Sequence, residues 1–318
     1  MGRMLGRRLL QLVPVLIGVS FLTFMLLNLL PGDPALAILG EGATPEATAA
    51  LREQLGLDQP LLVRYWHWLV AALGGDLGMS AGSGEPVSAL LLQRLPASVE
   101  IMVLAQLIAL VVAVPVAVLA AGRPGSALDR ALGLTAFAGV ASPPFLVGMI
   151  LVLVVAVPFG LPATGWIPFT ENPLMNARSA LLPALTLAFA LYAMYFRVLR
   201  ADLVTQLTQE EYVTTARAKG VSRNAVTWKH VLRNSVFPLI TVVGINMGAL
   251  LGGAVIVETL FAVPGLGKLM VDAIYQRDFM VVQGAVVVIA VAFVLINFAV
   301  DVLYAALDPR IRHARTAQ

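Results

Sequence analysis

Apolar residues in this chain run in long blocks instead of alternating with polar ones. Six stretches are nearly free of charge, at 9–30, 98–122, 131–159, 180–196, 236–257 and 281–307. Most reach the roughly 20 residues needed to cross a hydrocarbon core of about 30 Å. The fourth is short, and Arg197 and Arg200 extend it by snorkelling toward the headgroups. Glu100 and Asp301 are the charged residues within these limits, each close to a predicted interface where the cost is tolerable. The pattern predicts an all-α membrane protein with six transmembrane helices.

Charge then orients the spans. The N-terminus, loop 123–130, loop 197–235 and tail 308–318 hold 15 of the 21 basic residues, while 31–97, 160–179 and 258–280 hold 6 basic and 11 acidic residues. Basic loops stay inside, so both termini are placed in the cytoplasm. Arg3, Arg7 and Arg8 before the first span, with Ala35-Leu36-Ala37 after it, have the form of a signal peptide. Its apolar run of 22 residues exceeds the usual about 7–15, so it reads as a retained anchor. The organisation expected is 1–30 as N-terminus and first span, 31–97 as a structured external loop, 98–307 as a five-helix core and 308–318 as a cytoplasmic tail.

Composition excludes several classes. Of 318 residues 59% are apolar and 12% charged, against about 45–50% and about 25% in soluble domains. The absence of cysteine removes disulfides, thiolate metal sites and thiol nucleophiles, and His67, His230 and His313 are scattered outside the apolar blocks, so no metal site is expected. No GxxxxGK[ST] phosphate loop is present, so any ATP use belongs to another chain. An intramembrane enzyme needs a nucleophile and base or a metal at membrane depth. An ion-coupled secondary transporter usually shows midplane ionisable residues and inverted repeats. Neither pattern is found.

Two loops carry further signals. In the external loop, Thr44-Pro45-Glu46 reads as a helix start and Gly56 as its stop, predicting a helix over 45–55. Tyr65, Trp66 and Trp68 read first as an interfacial aromatic belt, with a partner-docking surface as the alternative. In loop 197–235, Thr208-Gln209-Glu210-Glu211 fits a capping box. Gly220 suits a left-handed helix end. Ser222 then caps a second helix whose Trp228, Val231, Leu232, Ser235 and Val236 share one face. A helix, a glycine corner and a helix are expected in the most basic loop. The same turn looks like a DNA-binding helix-turn-helix, but adjoining spans deny it access to a major groove, and no nucleic-acid partner is expected.

Thr214-Thr215-Ala216-Arg217-Ala218-Lys219-Gly220-Val221-Ser222 resembles the cytoplasmic "EAA" coupling loop of permeases of ATP-binding-cassette importers. Thr214 stands where that pattern has glutamate, and Arg233 where it has a later proline. Those departures are typical of the dipeptide, oligopeptide, glutathione and nickel permeases of the first-subunit type, whose Y-x-x-T-A-R-A-K-G … H-x-L-R-N-x-x-x-P form is matched by Tyr212, 215–220, His230, Leu232-Arg233-Asn234 and Pro238. Further matches are Pro31-Gly32-Asp33-Pro34, Gly75-Asp76-Leu77-Gly78, Arg94-Leu95-Pro96, Glu258 with Phe261, Pro264-Gly265-Leu266-Gly267, Arg277-Asp278, and Asp301 with Tyr304 and Asp308-Pro309-Arg310-Ile311-Arg312.

The resemblance implies a type I importer permease in the cytoplasmic membrane of a bacterium or archaeon, carrying peptides, with nickel or glutathione as alternatives. It implies a second homologous permease, two ATPases that use ATP and magnesium, an external substrate-binding protein, and no cofactor on this chain. Tyr212 and Thr214 to Ser222 would form the ATPase-coupling loop. Asn28, Gln106, Thr186, Asn246 and Asn297 are polar groups inside apolar blocks, each either an interhelical hydrogen bond or a pathway contact. Glu258, Pro264 and Gly265 are equally an external gate or a connector. Asp301 is expected to pair with a cation.

Overall fold

The computed structural model describes residues 2–29, 34–39, 43–54 and 56–307. Its helices are α1 (Gly2–Leu29), α2 (Pro34–Leu39), α3 (Pro45–Gln54), α4 (Leu61–Leu73), α5 (Val87–Ala121), α6 (Ala127–Ala141), α7 (Pro144–Phe159), α8 (Pro173–Gln209), α9 (Glu211–Ala218), α10 (Arg223–Gly253), α11 (Val255–Leu260), α12 (Leu266–Tyr275) and α13 (Phe279–Leu307). No strand occurs among the described residues, and the fold is all-α. The Pro31-Gly32-Asp33 and 308–312 motifs lie outside the described residues, as do the side chains of Arg3, Arg7, Arg8, Asp301 and Tyr304.

Among the described residues four helices, α5, α8, α10 and α13, are long and apolar enough to cross a bilayer, and α6 with α7 makes a fifth if the bent pair is one span. The described part of α1 adds the shorter apolar stretch Val13–Leu29. Two predicted spans are changed. The third, 131–159, breaks by 113° between α6 and α7. Pro143 forces Ser142 into an extended conformation (φ −85°, ψ 127°), because a residue before proline cannot stay helical without a clash. The fourth continues well past 196 to Gln209, so Arg197 and Arg200 lie on a helix of 37 residues, about 55 Å long at 1.5 Å per residue. Asn172 caps its start by accepting a bond from the Met175 amide at 3.1 Å, with Pro173 at the first helical position.

The described residues fall into two compact units. One comprises Met1–Ser98 with Pro264–Leu295. There the predicted start of α3 is observed, with Thr44 Oγ1 accepting from the Ala47 amide at 3.3 Å, and Gly56 has the expected positive φ of 62°. Tyr65 and Trp68 are buried instead of lining an interface. Tyr65 meets Phe21 and Phe24 edge-on at 5.1 and 5.6 Å, and its hydroxyl lies 2.8 Å from Ser20 Oγ. Of the three predicted belt residues, only Trp66 is exposed. At the far end of the unit the buried Asp278 joins two distant segments. Its Oδ2 accepts from Ser80 Oγ at 2.5 Å and the Gly82 amide at 3.2 Å, while Oδ1 caps α13 through the Val281 amide at 3.3 Å. The Pro264-Gly265 turn opens α12, whose Leu266 amide donates to Ser98 Oγ at 2.8 Å.

The other unit, Val99–Val263 with Ile296–Gln318, is built around α8. Leu182, Leu187, Leu191, Tyr195, Phe196, Leu199 and Leu203 are buried as α6, α7 and α10 pack on it. In α5, Ala105, Ala109, Ala113, Ala117 and Ala121 form a buried stripe at four-residue spacing, the small-residue surface that lets helix backbones approach closely. Between α10 and α13 the role falls to Gly244. A Cβ there would lie 2.7 Å from Val300 Cγ2 and 2.9 Å from its Cβ, and a β-branched neighbour has no flexible end to move aside. Gly244→Ala is therefore expected to destabilise by about 1–3 kcal/mol, the usual cost of overpacking. Thermal unfolding in detergent measures this, and adding Val300→Ala should restore most of the loss. An unchanged midpoint in the single variant would contradict the contact.

Candidate functional site

The basic loop folds as a short helix, a glycine corner and a helix. α8 ends at Gln209, Glu210 is extended (φ −88°, ψ 129°), and α9 starts at Glu211. The predicted capping box does not form. Thr208 is still helical, so its hydroxyl turns back to the Val204 carbonyl at 2.8 Å, the bond a helical threonine makes. α9 closes with the Gly220 amide on the Arg217 carbonyl at 2.9 Å and the Val221 amide on the Ala216 carbonyl at 3.2 Å. Gly220 has φ +80° and no heavy atom within 4 Å of where a Cβ would stand. The corner needs glycine for its backbone conformation and not for room. Ser222 caps the next helix as expected, its Oγ accepting from the Ala225 amide at 3.4 Å.

The second helix departs from the predicted face. Val226, Thr227, Val231 and Ser235 are buried, whereas Trp228 is exposed. The ladder widens to a π-type turn over Val226–Val231, which shifts the register and turns Trp228 outward.

Of the predicted coupling residues, Thr214, Thr215, Arg217, Ala218, Lys219, Gly220 and Ser222 are exposed, with Tyr212, Ala216 and Val221 half-buried. The inner face holds this surface in place. Val213 is fully buried, Tyr212 donates to Gln206 Oε1 at 2.6 Å, and Arg217 reaches the Leu207 carbonyl at 3.5 Å. Arg223 donates to the Gly122 carbonyl at the end of α5.

A neighbouring ion pair was not foreseen. Asp129, 5% exposed, accepts from Arg200 Nε at 2.5 Å and Nη2 at 2.6 Å, and from the Gly125 amide at 2.8 Å. Arg200 does not snorkel to headgroups; it forks onto a carboxylate. Ser126 Oγ accepts from the Asp129 amide at 3.2 Å, so Ser126-Ala127-Leu128-Asp129 carries the serine-to-acid spacing of a helix start that would have flagged this acid.

The remaining candidates do not gather into one site. Asn246 Nδ2 bonds the Val242 carbonyl at 2.8 Å and approaches Met194 Sδ at 3.4 Å, which favours a helix-to-helix link. Gln106 joins three helices, accepting from the Tyr195 hydroxyl at 2.5 Å and donating to the Val243 carbonyl at 3.1 Å. Thr186 bonds the Leu182 carbonyl of its own helix at 2.8 Å. Asn297 is half-buried on α13. Glu258 is wholly buried in α11, and Gly265 caps α12.

The sequence pattern of a family described as "Binding-protein-dependent transport system inner membrane component" matches residues 113–313, which include α9, its glycine corner and the Asp129–Arg200 pair. The chain belongs to this family. The permease also matches, over 1–102, the family described as "Binding-prot-dependent transport system membrane comp, N-term". It is similar to a putative peptide transport system permease protein of Brucella abortus, 39% identical over 98% of this chain and 100% of that one. It is similar to the glutathione transport system permease protein GsiC of Salmonella typhimurium, 40% identical over 96% and 98%. To the dipeptide transport system permease protein DppB of Escherichia coli it is 38% identical over 97% and 98%. In fold it is similar to a chain of the MetNI methionine ABC transporter in an inward-facing conformation, with a TM-score of 0.58 at 18% identity over 69% of this chain and 96% of that one. The permease is a membrane-spanning transport component of the peptide-importer branch of these importers.

Breaking the Asp129–Arg200 pair strands a guanidinium that is 31% exposed. Asp129→Asn is expected to cost about 2–3 kcal/mol, below the full buried-pair value because of that exposure. Arg200→Lys should recover little, since a single ammonium does not reproduce the fork. Thermal unfolding of Asp129→Asn, Arg200→Met and the double variant Asp129→Asn/Arg200→Met measures the coupling. A coupling energy near zero would contradict the assignment.

Proposed function

We propose that the permease carries peptides across a bacterial or archaeal cytoplasmic membrane, as one of two homologous membrane subunits of an importer. Two partner ATPases using ATP and magnesium would drive it, and an extracytoplasmic binding protein would load it. The observation that carries this reading is the exposed, rigidly based loop at 212–222, in a chain whose relatives at near full length are named for peptide, dipeptide and glutathione transport. Glutathione, itself a small peptide, is the second reading, favoured by the 40% identical relative; nickel or another solute is the more distant alternative.

In this reading the chain crosses the membrane six times, the first crossing within 9–30, with both termini in the cytoplasm and 31–97 outside. The charge distribution supports it, with 15 of 21 basic residues on the inner side. Thr214 to Ser222 sit in a groove of an ATPase, Lys219 and Arg217 facing its acids. Because α9 follows α8 after the single extended residue Glu210, a displaced loop moves the long helix with it. Asn297 faces the pathway, beside Asn246 at the helix-to-helix link that borders it, with Glu258, Pro264 and Gly265 toward its external end.

Gly220→Val places a β-branched residue at φ +80°, a conformation that costs about 1–3 kcal/mol. Membrane insertion should persist while peptide uptake falls by about ten-fold or more, the equivalent of about 1.4 kcal/mol, and less ATPase co-purifies. Undiminished uptake would remove the coupling assignment.

A further inference from the structure

The external segment between the first two predicted spans contains a helix whose surroundings do not match an aqueous loop. Tyr65 of α4 donates to the Ile17 carbonyl at 3.3 Å and lies against Ser20, Phe21 and Phe24. Trp68, one turn further on, meets Phe24 at 6.5 Å. Ser20 is nine residues before the end of α1 at Leu29, about 13 Å along a helix rising 1.5 Å per residue. Half a hydrocarbon core is about 15 Å. The Tyr65 side chain therefore reaches α1 near the middle of its apolar length, from a backbone that its own length sets further out.

α4 has three sectors. Tyr65, Trp68, Leu69 and Ala72 pack into the unit's core. Arg64 and His67 form a polar edge, with the Arg64 guanidinium 5.9 Å above the Phe24 ring. The third sector is uncovered and apolar: Leu62, Trp66, Val70 and Leu73 recur at i, i+4, i+8 and i+11 and are 66%, 62%, 52% and 82% exposed. At the same level of α1, Leu22 and Leu26 are likewise uncovered, at 60% and 63%. An apolar stripe bearing a tryptophan and set beside a cationic edge has the make-up of an interfacial amphipathic helix.

We propose that α4 is embedded in the bilayer's outer interface, with Leu62, Trp66, Val70 and Leu73 bound to lipid acyl chains. It is a lipid-binding face of the permease and not part of an aqueous external domain. This rests on reading α1 as a membrane span. The depth of the Tyr65 contact selects lipid over water or a soluble partner as the occupant. Arg64 stays at the edge with its stem along Phe24 and its charge toward headgroups.

The chain has no cysteine, so single nitroxide labels can be placed without background. Leu62→Cys, Val70→Cys and Leu73→Cys report the stripe, His67→Cys the polar edge, Leu22→Cys the span, and Glu53→Cys an aqueous reference. In the assembled importer in lipid nanodiscs, the stripe labels should be relaxed several-fold more by oxygen than by chromium oxalate, as Leu22→Cys is, with His67→Cys and Glu53→Cys reversed. Stripe labels relaxed by chromium oxalate beside an oxygen-dominated Leu22→Cys would place the face in water and overturn the proposal alone. Stripe labels shielded from both reagents would put a protein partner there and overturn it equally. Chromium oxalate at Leu22→Cys would remove the span reading and the proposal with it.

Discussion

Hydrocarbon offers no hydrogen bonds, so a polar group carried into the bilayer must find its partner within the protein. The helices around α8 are arranged to meet that demand. Tyr195, Gln106 and the Val243 carbonyl form one chain across three helices. Thr186 and Asn246 return to carbonyls one turn back, Asn246 also touching Met194. Ser142, at the proline break, still donates its amide to the Ala138 carbonyl at 2.9 Å, and the Leu146 and Val147 amides beyond it donate to the Pro143 carbonyl at 3.0 and 3.2 Å. In this unit Ser235 Oγ is the exception among the described residues, and in the other unit Trp68 Nε1, Arg94 Nε and Gln283 Nε2 are. With polar groups satisfied locally, association falls to close packing, and the alanine stripe of α5 and Gly244 of α10 supply the small surfaces it needs.

The basic loop answers an opposite requirement. As the proposed coupling loop it needs an accessible surface on a base that does not give way. Burial is therefore confined to its base, where Val213, the Tyr212–Gln206 bond and the Arg223–Gly122 bond hold the loop to α8 and α5. The same geometry divides the two cations expected to meet a partner. Arg217 already reaches the Leu207 carbonyl, so it acts partly as a brace. Lys219 sits one residue before the corner, exposed, and is the cation better placed for an outside carboxylate.

Much of this was legible in sequence because it depends on local rules. The apolar blocks mark the helices of the bundle, Gly220 and Ser222 mark the corner, and Thr44 and Gly56 mark the bounds of α3. What was missed depends on register or on distant partners. The π-type turn at Val226–Val231 adds a residue to the ladder, and no periodicity argument could foresee Trp228 turning outward. Thr208 had the right spacing for a cap, but α8 had not yet ended there, and a capping side chain works only from an extended residue. Arg200 looked like a headgroup ligand because its acid lies 71 positions earlier. By composition the aromatic group at 65–68 reads as a belt, although two of its rings point inward onto α1.

The residues that carried the family resemblance serve two physical purposes, and only one bears on function. Gly75 to Gly78 and Arg277-Asp278 are nearly 200 positions apart, yet they close one junction. Gly78 faces Met280, Leu77 lies beside Gly284, and Asp278 holds Ser80 and caps α13. These are packing residues, fixed by shape and by a buried carboxylate that needs its donors, and they would suit a permease for any cargo. The residues of 214–222 are instead mostly exposed and make few bonds of their own, so packing alone does not call for their identities. A motif buried and bonded within its own chain argues for the fold. A motif left exposed on a rigid base argues for a partner, and in this chain the second kind is concentrated around Gly220.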